Sequence, residues 1–162
     1  MKIKQLQTKT HSLYALCLAF LLCFLTSCSS KVDYYEASGR DVSVEKITEE
    51  IGAEADNKEE KDGMTTYTYE KCSYMDYVGE IKYYYFDENT LAMQRWQCDF
   101  DKKEEMQDAY KEISGQLTKD YGEGTESDDK TFLTWTMDKK QVIVGYDTTE
   151  KYSVYVLENM NS

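Results

Sequence analysis

Proline is absent from the 162 residues, and histidine occurs once, as His11. From residue 28 onward there is no imidazole at all. Ser-His-Asp and Cys-His catalysis both need that base, and a histidine-ligated metal needs the ring itself, so these chemistries fall away together. No CxxC or HExxH pattern occurs. Glycine is sparse, and Gly122-Glu123-Gly124 lacks the further glycine or Lys-Ser/Thr that a phosphate cradle requires. Positive charge is short as well, with 19 basic against 31 acidic residues. Nucleic acid and anionic lipid both select for clustered Lys and Arg, so the composition argues against a nucleic-acid partner.

Long apolar runs are equally few. The one that stands out, Leu13–Leu25, follows a leader with Lys2, Lys4 and Lys9 and no acid. As a helix its 13 residues reach about 20 Å, against the roughly 20 residues needed for a ~30 Å hydrocarbon core. It has no polar face to suit a core helix. A basic leader, an apolar run and small residues form a secretory signal peptide, here residues 1–27. Leu25-Thr26-Ser27-Cys28 resembles the lipobox of bacterial lipoproteins. The resemblance implies a diacylglyceryl thioether on Cys28, often with a further fatty acyl chain such as palmitate, and a membrane partner reached through that anchor. It also implies a place on the extracytoplasmic face of the cell membrane. Ser29 is not the Asp that favours inner-membrane retention in Gram-negative family members, which leaves the outer membrane open as a destination in a cell that has one. Two hydrophobic signals suffice for stable attachment where one gives marginal binding.

Processing at Cys28 removes three lysines and no acid, leaving 135 residues with a net charge of −15. That length supports one domain with its own core, and the charge keeps it soluble beside a negative envelope. Cys17 and Cys23 leave with the leader, so Cys72 and Cys98 are the remaining thiols. Export invites a disulfide between them. The strand pattern opposes it, because a strand separates them and two spacings of about 10 Å exceed the ~7 Å a bridge tolerates. Two buried free thiols are the expectation, with the Cys72–Cys98 bridge as its alternative.

Residues 28–40 read as a lipidated tether and 41–158 as a single α+β domain, with 159–162 a polar tail. Val44, Ile47 and Ile51 fall at helical spacing before Gly52. Ala53–Gly63 is charged; Lys58 and Lys61 spoil a calcium loop, so it reads as solvated loop. Strand patterns follow at Thr65–Cys72, Glu80–Phe86 and Leu91–Phe100. Asp101 and Glu104 have capping-box spacing, and Met106, Ala109, Tyr110, Ile113, Leu117 and Tyr121 make a helical stripe ending at Gly122. Glu123–Lys130 reads as loop, and three more strand patterns occupy Thr131–Met137, Gln141–Tyr146 and Tyr152–Leu157.

The element order is α-β-β-β twice, suggesting repeats over 41–100 and 101–158. Ile47, Ile51 and Gly52 match Leu117, Tyr121 and Gly122 at a constant offset of 70. An antiparallel sheet of about six strands with two helices on one face is expected. In element order alone this looks like the tandem-repeat fold of the β-lactamase-inhibitor proteins and the small outer-membrane assembly lipoproteins, which implies a binding module.

The surplus residue is tyrosine, at 15 positions. Most suit a core and sheet surface. Tyr74, Tyr77 and Tyr84 form the candidate binding patch, since Tyr84 is opposite in parity to Tyr83 and Tyr85. The sequence thus points to a non-catalytic extracytoplasmic domain for an envelope protein or glycan, with no cofactor. A cell-wall or glycan hydrolase using two carboxylates is the alternative. Replacing Cys28 with Ala is expected to abolish the lipid mass adduct and move the protein from detergent to aqueous phase. A detergent-phase product lacking the adduct would contradict the anchor.

Overall fold

The computed structural model describes residues 31–161, so the leader, the lipobox, Cys28 and Ser162 lie outside the described residues. In chain order the elements are β1 (Val32–Asp33), α1 (Val44–Ile51), β2 (Asn57–Lys61), β3 (Met64–Tyr74), β4 (Tyr77–Asp87) and β5 (Thr90–Phe100). They continue with α2 (Lys103–Tyr121), β6 (Thr125–Glu126), β7 (Phe132–Thr136), β8 (Lys140–Asp147) and β9 (Tyr152–Met160).

One mostly antiparallel sheet runs β1-β3-β4-β5-β9-β8-β7-β6, with β2 also on β3. Its centre is the β3-β4-β5 meander laid against β9-β8-β7, joined through the third strand of each set, with Trp96 opposite Val156. That is the order two αβββ units would give when facing each other about a two-fold. The α+β class and the one-sided sheet therefore hold, with nine strands in place of about six.

Alternation decides which side is buried. Ile81, Tyr83 and Tyr85 in β4, Trp96 in β5, Val142 and Val144 in β8, and Val154 and Val156 in β9 share one face, all nearly inaccessible. Helix α2 lays Met106, Ala109, Ile113 and Leu117 on that face, and α1 adds Ile47. Helix α1 spans the residues its periodicity marks, Val44 to Ile51. Ser43 caps it by accepting from the Lys46 amide at 3.2 Å, and Gly52 closes it at φ 72°, its N–H donating to Thr48 at 2.9 Å. The expected capping box at Asp101 does not form: Lys102 is the N-cap and makes no side-chain cap bond. Glu104 and Glu105 in the first turn still favour the helix N-terminus electrostatically.

Three stretches differ from the sequence reading. The charged run at 53–63 contains strand β2, all five residues exposed, hairpinned to β3 through Asp62 and Gly63, both at positive φ. Asp-Gly is the pair such a tight turn demands, and charge is what blunts an exposed edge strand. The polar tail is the end of β9: Met160 is buried opposite Lys140, and the Asn161 amide donates to Lys139 at 2.8 Å. The tether is mostly not a tether. Val32 and Asp33 pair in parallel with Cys72 and Ser73, Ala37 and Val42 are buried, and the Leu91 amide donates to the Arg40 carbonyl at 2.8 Å. Residues 32–42 form a strap across the helical side of the sheet.

Cys72 and Cys98 are both free and buried. They do lie on strands separated by another, but on the same core face, flanking Gly79 of β4. A bulge in β3 between Tyr69 and Cys72 sets this register, and a Cβ on Gly79 would lie 2.1 Å from the Gln97 carbonyl oxygen. Burial pushes the Cys72 thiol up to about 12.

Tyrosine hydroxyls thread the core: Tyr83 donates to the Tyr35 carbonyl at 2.8 Å and Tyr85 to the Val42 carbonyl at 3.0 Å. Burial raises the phenols of Tyr34, Tyr74, Tyr83 and Tyr85 above the ordinary value. Because folded values lie above the unfolded one, the stability these groups contribute is complete below about pH 10 and is lost as pH rises beyond it. A tyrosinate absorbance titration should show a delayed, cooperative step coincident with loss of far-UV circular dichroism. A smooth titration of every tyrosine near the unfolded value, with structure intact, would contradict the packing.

Candidate functional site

Polar side chains at core-facing strand positions make the most unusual feature of the molecule. Gln94 in β5 and Glu158 in β9 are directly opposite each other on the buried face, and Lys140 begins β8 on the same face. Glu158 is 3% exposed and Lys140 9%. Lys140 Nζ meets Glu158 Oε2 at 2.6 Å and also donates to Glu36 Oε1 of the strap. Glu158 Oε1 accepts from the Tyr34 hydroxyl and from Gln94 Nε2 at 2.9 Å. Gln94 Nε2 lies 2.6 Å from the Tyr34 oxygen, and its Oε1 accepts the Ala37 amide at 3.0 Å. Tyr121, the last residue of α2, donates to Glu36 Oε1 at 2.9 Å and lays its ring 6.0 Å from the Lys140 ammonium.

Burial pushes the Glu158 carboxyl up, against the pull of Lys140 and the Tyr34 hydroxyl. Burial also opposes the charge on Lys140, but Glu158 and Glu36 together win and hold its ammonium above the usual lysine range. Three donors already meet the two oxygens of Glu158, and the residue is buried, so the carboxylate is not open to a substrate. A glycosidase needs two carboxylates open to a cleft. Here Lys140 stands between Glu36 and Glu158, and the strap lies above them. The chemistry this arrangement performs is fastening: it joins β5, β8, β9, the end of α2 and the strap.

Among the described residues, no helix lies on the other face of the sheet. Near its centre are Tyr84, Met93, Arg95, Ile143, Tyr155 and Leu157, all half-buried. The Arg95 guanidinium sits 5.0 Å from the centre of the Tyr155 ring, and its Nε is buried without a hydrogen-bond partner. Tyr155 in turn lies over Gly145, where a Cβ would come within 2.3 Å of the phenol oxygen. Ion pairs flank this area, Glu80–Lys82 at 2.7 Å and Asp99–Lys151 at 2.8 Å.

The three candidate tyrosines do not form one patch. Tyr74 packs in the core, 4.6 Å from the Tyr34 ring and 5.2 Å from Trp96. Tyr77 is on the helical side, its ring 5.9 Å from Phe100 and its hydroxyl donating to Glu112 of α2 at 2.8 Å. The bulge between Tyr69 and Cys72 puts Tyr74 on the core side, which simple alternation through 65–72 does not convey, while Tyr77 follows the plain alternation of β4 with Ile81, Tyr83 and Tyr85. Tyr84 alone is on the open face. Cys28 lies outside the described residues. Sequence reasoning missed Gln94, Lys140 and Glu158, although the signal was present: each continues an apolar alternation with a polar residue (Gln94-x-Trp96-x-Cys98, Lys140-x-Val142-x-Val144, Val154-x-Val156-x-Glu158). Among the described residues, no group of three or more His, Cys, Asp or Glu is placed to hold a metal ion. No helix there is long and apolar enough to cross a membrane.

No family model, no curated protein and no solved structure matches the chain.

Replacing Lys140 with Met leaves Glu158 buried without its cation and is expected to cost about 3 kcal/mol in urea unfolding. The double variant Lys140→Met/Glu158→Gln, which removes both charges, should recover more than half of that. Equal losses in single and double variants would show that the ion pair is not what matters there.

Proposed function

We propose that the protein is a lipid-anchored extracytoplasmic binding domain, without catalytic activity, that holds an envelope protein or glycan on the open face of its sheet. The observation that carries this reading is that face: aromatic, aliphatic and guanidinium groups at its centre, ion pairs beside them, and no element covering it among the described residues. Tyr and Arg over a desolvated centre with a polar surround is the anatomy of a binding hot spot. Tyrosine rings also suit the apolar faces of sugars, which keeps a glycan within the same reading. The competing hydrolase reading fits less well, because the carboxyl with the most distinctive surroundings, Glu158, is enclosed and fully engaged.

The test is photo-crosslinking in intact cells from position 93, on the open face, and from position 105, on the exposed side of α2, followed by mass spectrometry. A partner is expected from the first position and not the second. Tyr84→Ala/Met93→Asp should then weaken capture of that partner at least tenfold, about 1.4 kcal/mol, with an unchanged melting temperature. Tyr77→Ala should leave capture intact. Undiminished capture by the double variant would refute the face assignment.

A further inference from the structure

The strap changes what the anchor does. A free segment over residues 28–40 would have a contour of about 45 Å and would let any face of the domain meet the bilayer. Instead the chain enters the sheet at Val32. Four peptide units separate Val32 from Cys28, so their Cα atoms lie within about 14 Å of each other whatever the conformation. The docked part is held along its length: Val32 and Asp33 in the β3 ladder, the Tyr34 amide on the Ser73 carbonyl at 2.8 Å, Ala37 on Gln94, and Arg40 on Leu91. Tyr34 and Glu36 add the buried ion network, so tension on the anchor passes into β5, β8 and β9 and does not simply peel off an edge strand.

From the structure we infer that the β1–β3 edge of the sheet is a membrane-apposed surface, and that the strap mounts the domain edge-on to the phospholipid headgroups. This rests on the lipid-anchored reading above and specifies its geometry. The chain enters at one extreme of the sheet. Seven strand spacings of about 4.8 Å, or ~34 Å, separate β1 from β6 at the other. The parallel register of Val32 with Cys72 sets Lys31 beside Lys71 where the chain leaves the sheet, among the exposed acids Asp33, Glu59, Glu60 and Glu70 of the same edge, so the short link and not net charge sets the pose. Met75 and Val78, two large apolar residues left exposed, sit in and beside the β3–β4 turn of that end. Lying on the helical side would press Glu45, Glu49, Glu104, Glu105, Asp108 and Glu112 against lipid phosphates. Lying on the open face would require desolvating the Glu80–Lys82 and Asp99–Lys151 pairs. Edge-on, the open face stays free for its partner beside the bilayer.

The experiment uses the full, processed protein in liposomes carrying a headgroup-attached quencher. Fluorophores are placed on Asp33→Cys in β1 and on Asp128→Cys beyond β6, with Glu60→Cys in β2 as a second near-edge site. Cys72 and Cys98 are buried and stay unlabelled in the folded protein. The near-edge labels should be quenched several-fold more than the Asp128→Cys label. Inserting about ten Gly/Ser residues between Ser30 and Lys31 should make the labels nearly equal, because a flexible linker of that length lets the domain turn over. Equal quenching without the insertion, in protein with its lipid adduct verified by mass, overturns the mount and leaves the anchor standing. A difference that persists with the insertion overturns the claim that the short link sets orientation. Absence of any lipid adduct overturns the anchor, and the mount with it.

Discussion

A carboxylate in the middle of a hydrophobic sheet face must be compensated, and much of this molecule is arranged around compensating Glu158. Leaving an ionised carboxylate in low-dielectric surroundings costs several kcal/mol even after relaxation. Lys140 on the neighbouring strand supplies the charge, but an ammonium that deep needs partners of its own and finds the second in Glu36. The remaining donors come from Gln94 across the strand and Tyr34 in the strap. The strap buries Val32, Ala37 and Val42 and packs Tyr34 and Tyr35 against the core. The polar network adds a second hold, and the strap in turn shields the network from water.

That exchange explains the division of labour between the two faces. The helical face is finished: α1, α2 and the strap cover it, and tyrosine rings and hydroxyls fill the space between. Tyr67 stands edge-on to Tyr85, and Tyr69 to Tyr83, each pair near 6 Å. Among the described residues, the other face is covered only by its own side chains. Tyr155 shields the Gly145 backbone, Arg95 shields Tyr155, and nothing shields Arg95 Nε with a partner. A face that is half apolar and half satisfied is where an incoming ligand gains most, since its binding removes water from groups the fold has already partly desolvated.

The mount and the open face fit together. An acidic globule on a long leash would spend its time away from the bilayer and could present any side to it. Mounted as proposed, a sheet fixed at one edge would keep the proposed binding face at a constant height and angle, which suits the envelope partner proposed for it. The ion network is what ties the strap to the sheet, because losing Lys140 would leave the buried Glu158 without its cation.

How much of this was legible depends on the range of the interaction. Alternation in Leu91–Phe100 and Tyr152–Leu157 and the stripe from Met106 to Tyr121 are local patterns, and they placed the long strands, the second helix and the α+β class correctly. The Asp62-Gly63 turn was equally local, but the five exposed polar residues before it carry no apolar period, so β2 read as loop. The split of Tyr77 from Tyr84 was local, since the two have opposite parity in one strand, but the core placement of Tyr74 followed from a bulge, which shifts parity by one residue and leaves no mark on composition. By itself the amino-acid order determined an acidic, histidine-free, proline-free α+β domain behind a lipobox-like leader, because charge, residue type and short periods need no partner to be read. Tertiary structure alone decided that residues 32–42 are a strap, that Glu158 has a cation, and which sheet face stays bare. Each of those depends on groups up to 124 positions apart meeting in space, as Tyr34 and Glu158 do.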